Sequence, residues 1–168
     1  MRDNKGFTLF EMMMVLALSA IVIGMAGLSI SAVNRANVSK AANKYLAAVE
    51  LARNISMAQG DAAGTLHIVK EGGQLKYYIG PDSTKKEVIA TPAVKVSTTI
   101  TNALFQAAPS DSSVLANGTS LEWHFNTAGM VKSGSPMLLF TFWNNGKKVV
   151  STYLYNATGK TDSVTYYR

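Results

Sequence analysis

At 168 residues the chain has room for one ordinary domain plus an extra element, but hardly for two domains. Apolar residues make up 48% and charged residues only 15%, which excludes a disordered tail and points to an apolar segment outside any water-soluble core. The net charge is +6 and there is no cysteine, so a disulfide framework, a thiolate metal site and a cysteine nucleophile are excluded. The lysines never run longer than two in a row, a spread that reads as a solvated surface rather than a dedicated polyanion patch.

Residues 12–33 contain no charged residue and no proline. Such a run is long enough for a membrane-spanning helix, which needs about 20 residues. A cleaved secretory signal is the competing reading, with small residues around Ser29, Ser31 and Ala32 as the cleavage site, but its apolar core is only about 7–15 residues long. The unusual feature is Glu11, a carboxylate just inside the apolar run. An ionised group in hydrocarbon costs several kcal/mol unless it is paired or near the interface, so it calls for a functional reason. If the chain were cut after Gly6, the new α-amine of Phe7 would stand four residues from Glu11 and supply a charge partner between neighbouring subunits.

The run Gly6-Phe7-Thr8-Leu9-Phe10-Glu11, followed by the apolar stretch, resembles the class III signal of type IV pilins and type II secretion pseudopilins. The resemblance implies cleavage after Gly6 by a prepilin peptidase, methylation of Phe7, and a role for Glu11 in assembly with other pilin or pseudopilin subunits. Arg2 and Lys5 in the leader are expected to stay cytoplasmic, which places the C-terminus outside the cytoplasmic membrane. Many major pilins carry a helix-kinking proline where this chain has Leu28, so any bend is expected at Gly24 and Gly27. The plain alternative is a signal anchor whose Glu11 snorkels to the interface and whose outer domain never assembles.

Beyond Val33 the chain turns polar, and Val38, Ala42, Tyr45, Val49, Ala52 and Ile55 recur at spacings of three and four. This predicts an amphipathic continuation of the same helix, with Lys40, Lys44, Glu50 and Arg53 off the apolar stripe and Gly60 as its stop. Strands are then expected over 65–69 and 74–79, joined through Gly72-Gly73, and over 88–90, 94–101, 120–125, 137–143, 148–155 and 163–167. A loop is expected over 107–118, and turns over 126–129, 144–146 and 156–160. The expected fold is α+β: a long N-terminal helix, transmembrane in its first half and amphipathic in its second, packed on an antiparallel β-sheet head. The expected divisions are a leader over 1–6, the spanning half over 7–33, the amphipathic half over 34–60 and the head over 61–168.

Two stretches of the head, Leu121-x-x-x-Phe125-x-x-x-Gly129 and the run from Val149 to Thr158-Gly159-Lys160, are similar to the ending of the GspH/FimT family of minor pilins. Lys160 stands where an arginine is commoner in that family. The resemblance implies a minor pilin or pseudopilin of a type IV pilus or a type II secretion-like pseudopilus, with the pilus assembly machinery as partner. No catalytic residue, cofactor site or metal site is expected. His67 and His124 read as isolated sheet-surface residues, and no phosphate loop or hydrolase motif occurs. The rival function for the head is DNA binding, as in minor pilins that act in natural transformation. Its candidate contacts are Lys147, Lys148, Lys160 and Arg168, with strand aromatics for base stacking.

Overall fold

The computed structural model describes residues 7–100, 114–132, 137–144, 146–155 and 158–166. Among these residues one helix, α1 (Leu9–Gln59), is followed by eight strands: β1 (Leu66–Glu71), β2 (Gln74–Ile79), β3 (Glu87–Ala90), β4 (Lys95–Ile100), β5 (Ser120–Trp123), β6 (Met137–Asn144), β7 (Lys147–Tyr155) and β8 (Lys160–Thr165). The chain divides into two compact units, Met1–Asn34 and Arg35–Arg168.

In the first unit the described side chains of α1 are exposed on every side, from Leu9 and Phe10 through Leu16 and Val22 to Ile23 and Met25. A helix apolar all round has no water-facing side and is suited to lipid or to other helices. Among the described residues no helix is long and apolar enough to cross a membrane. A membrane-spanning first half rests on the uncharged run 12–33 of the sequence. The hydroxyl of Ser19 donates to the Val15 carbonyl at 2.7 Å, which satisfies it within the helix.

In the second unit the expected stripe of α1 is buried at Val38, Ala42, Tyr45, Val49 and Ala52, and Ala41 and Ala48, which the spacing did not include, are buried beside it. It differs from expectation at its end, where Ser56 takes the buried position and Ile55 is only half-buried. The helix stops as the sequence implies. Gly60 takes φ of 95° and its N–H donates to the Ser56 carbonyl at 2.9 Å.

The strands form two four-stranded sheets, both antiparallel at every described pairing, in the orders β3-β2-β1-β5 and β4-β6-β7-β8. The first hairpin closes where Glu71 faces Gln74, with Gly72 and Gly73 at φ of 57° and 77°. Two consecutive positive φ values match the right-handed strand twist and select glycine. Strand β8 starts at Lys160 rather than 163. The N–H of Gly159 reaches back to the Tyr155 carbonyl at 2.7 Å, so the turn is tight enough for pairing to resume at once, Lys160 against Tyr155.

The stripe of α1 and the inner faces of both sheets share one core: Leu66, Ile68, Leu75 and Trp123 from the first sheet meet Val96, Phe140, Phe142 and Leu154 from the second. Tyr45 lies against Phe140 with ring centroids 4.6 Å apart, and Trp123 meets the same ring at 5.6 Å. The other face of the second sheet is also dry along its central strands but more polar. There Ser97, Thr141, Trp143, Ser151 and Tyr153 are buried, with Trp143 Nε1 donating to Ser97 Oγ at 2.9 Å and Thr141 and Ser151 sharing a bond of 3.2 Å. Buried polar groups are tolerated when paired in this way.

Candidate functional site

The N-terminal site is built by helix capping. Thr8 precedes the first helical residue, and its backbone N–H and its hydroxyl both donate to Oε2 of Glu11, at 2.8 and 2.9 Å. In return the N–H of Glu11 donates to the Thr8 hydroxyl oxygen at 3.2 Å. This reciprocal arrangement is a capping box, in which two otherwise orphaned N–H groups of the helix start are satisfied. The carboxylate also faces the positive end of the helix dipole. The signature Thr8-x-x-Glu11 is visible in the sequence, yet a reading of Glu11 as a lone acid passes over Thr8. Phe7 is 82% exposed just before the box, so the Gly6–Phe7 junction adjoins an open side chain. Gly6 itself, like the rest of the leader, lies outside the described residues.

A second set of residues comes together at the end of the helix. Arg53, placed off the stripe by its spacing, is half-buried, and its Nε donates to the Gly129 carbonyl at 3.1 Å. Gly129 closes a turn organised by Asn126, whose Oδ1 accepts from the N–H groups of Ala128 and Met130 at 3.0 and 2.9 Å. Gly159, from the turn between β7 and β8, packs directly on the Gly129 carbonyl. The Phe-x-x-x-Gly and Thr-Gly-Lys stretches are thus one junction gripped by the helix. Nearby, the Ser56 hydroxyl donates to the Phe125 carbonyl at 2.5 Å, and a side chain on Gly64 would stand 2.6 Å from the Ala52 carbonyl. This cluster ties the end of the helix to two turns of the head.

The two histidines are not isolated. Across the outer face of the first sheet, Nδ1 of His67 lies 3.2 Å from Oε1 of Glu122, and Nε2 of His124 lies 3.7 Å from Oε2 of the same residue. The sequence hides this because His67 and Glu122 are brought opposite each other only by the pairing of β1 with β5. His67 also stacks on Tyr78 at 4.4 Å. Among the described residues no group of three or more ligating side chains is arranged to hold a metal ion.

The DNA candidates are not gathered together. Lys147 and Lys148 open β7, whereas Lys160 faces Tyr155 at its other end. A nine-residue strand spans roughly 25 Å at about 3.3 Å per residue. Lys148 sits 4.2 Å over the ring of Tyr166, so its charge is already engaged in a cation–π contact. Arg168 lies outside the described residues.

A family model described as the prokaryotic N-terminal methylation motif matches residues 1–27, the stretch that contains Gly6, Phe7, the capping box and the exposed apolar helix. The motif indicates a type IV pilin-like substrate of prepilin peptidase, one that joins other pilins. No curated protein and no solved structure matches the chain.

Proposed function

We propose that the chain is a structural subunit, a minor pilin or pseudopilin of a type IV pilus or a type II secretion-like pseudopilus. It is held as a precursor in the cytoplasmic membrane by residues 7–33, cut between Gly6 and Phe7, methylated on Phe7, and assembled through its helix. The observation that carries this reading is the coincidence of the methylation motif over residues 1–27 with the stretch 9–25 of α1, whose apolar side chains are exposed all round. Such a surface is stable only against lipid or other helices. The pilin-like motif points to a structural rather than an enzymatic role. Glu11 is the residue proposed to act in assembly. Within one chain its carboxylate is held by Thr8, and cleavage after Gly6 creates an amine next to that box. A carboxylate has about four acceptor sites, so Glu11 keeps capacity for an amine from a neighbouring subunit.

The test is the mass of the N-terminal peptide of protein extracted from membranes of cells that carry a prepilin peptidase. The expected terminus is methylated Phe7. A terminus at Met1, or beyond residue 28 as after signal peptidase, would overturn the proposal.

A further inference from the structure

We propose that the cleft between α1 and β3 is a binding site for a phosphate-bearing anion. The cleft measures about 140 Å³ and is lined by Asn37, Lys40 and Lys44 of the helix and by Val88, Ile89 and Thr91 at the end of the strand. That is room for several water-sized groups.

Three observations converge on an anion. First, Lys40 and Lys44 are four residues apart on one helix face, where like charges repel. Second, neither lysine has a carboxylate partner among the described residues. Asp61 pairs with Lys132, Glu71 with Lys76 and Lys86, Asp82 with Lys85, and Glu122 with the histidines. Glu87, next to the cleft in sequence, accepts from the Tyr77 hydroxyl at 2.9 Å instead. Third, one of the ammonium groups is fixed in place. Nζ of Lys44 donates to the Val88 carbonyl at 3.0 Å, which leaves two of its three donors for a ligand. Ala41 and Ile89 are buried and Val88 is half-buried, so the floor of the cleft is apolar while its lysines stand at the open rim. An amide at Asn37 and a hydroxyl at Thr91 complete a donor set suited to phosphate oxygens, for which lysine is a common point-charge ligand.

The same chemistry has two sources, free phosphate and a phospholipid headgroup. Lys40 and Lys44 follow the uncharged run 12–33 by seven and eleven positions, which favours the headgroup. That source rests on the membrane reading above, whereas recognition of phosphate does not.

The experiment uses the full chain in a neutral maltoside detergent and follows its melting temperature at constant ionic strength. One arm titrates dihexanoyl phosphatidylglycerol below its micellar concentration, and the other titrates inorganic phosphate. A ligand that binds the folded state alone raises the melting temperature saturably. Lys40→Gln, which removes a side chain with no described bond, is expected to weaken half-saturation roughly tenfold, the loss of one charge-assisted contact. Lys132→Gln, which removes the same charge elsewhere, is expected to leave half-saturation unchanged. A shift with the lipid alone assigns the headgroup, and a shift with both assigns phosphate itself. No saturable shift in either arm, or equal half-saturation in the chain with and without Lys40, overturns the site. Terminal mass reads the processing proposal separately, so either can fail without the other.

Discussion

Gly159 faces the carbonyl oxygen of Gly129 so closely that no side-chain carbon fits between them, and a Cβ there would also stand 3.0 Å from Nε of Arg53. Gly159→Ala is therefore expected to destabilise the fold by about 2–4 kcal/mol, since overpacking adds to the cost of its φ of 61°. Gly118→Ala supplies the comparison: φ is 86° but nothing lies within 4 Å, so only the dihedral cost of about 1–2 kcal/mol is expected. Denaturant midpoints of the two variants measure the difference, and equal losses would remove the packing argument.

Tyr45 is wholly buried, and among the described residues its hydroxyl has no hydrogen-bond partner. Burial pushes its pKa up, because the phenolate would have no solvation there. Tyr45→Phe keeps the ring against Phe140 and removes an orphan group, whose desolvation costs about 1–3 kcal/mol. The expected outcome is an unchanged or higher unfolding midpoint. A clear fall would show that the hydroxyl has a partner in solution.

The box formed by Thr8 and Glu11 separates two roles of one carboxylate. Thr8→Val removes the hydroxyl and should cost helix stability about 1 kcal/mol, while leaving the charge of Glu11 in place. Glu11→Gln keeps an acceptor at the cap and removes the charge. If assembly depends on that charge, incorporation into filaments falls severalfold or more for Glu11→Gln and little for Thr8→Val. Equal effects would assign Glu11 to capping alone.

Tyr77 donates to Glu87 across the pairing of β2 with β3, and burial first, with that bond second, raises its pKa from 10.0 to about 12. A raised folded value means that this stabilisation is complete below pH 10.0 and is lost as pH climbs toward about 12. Tyr77→Phe should make unfolding less steeply dependent on pH in that window. The check is the slope of the melting temperature between pH 9.5 and 11.5, and an unaltered slope would count against it.

Much of this architecture is written locally. The stripe through Val38, Tyr45 and Val49 announces a docked helix, and Gly72-Gly73 between alternating runs announces the first hairpin, because side-chain period and φ preference act over a few residues. The capping box is equally local, and its spacing of three suffices to find it. What escapes a reading along the chain depends on long-range pairing. Arg53 meets Gly129 across 76 positions, and Glu122 reaches His67 across 55. Their spacing carries no signal, since contact follows from which strands become neighbours. Arg53 misleads for a further reason: a long side chain can leave a polar helix face and bury its stem while its head finds a carbonyl.

The two sheets also set where this protein is free to change. The first carries His67, Tyr78, Glu122 and His124 on a wet outer face, where substitutions away from special contacts usually fall within about 0.5 kcal/mol. The second is dry on both faces along β6 and β7, so Phe142 and Trp143, neighbours in sequence, are each locked on opposite sides. Lineages of this protein should therefore drift at the outward positions of β1, β2 and β5 and hold still along β6 and β7, and a surface under pressure to look different has its variable letters on that outer face.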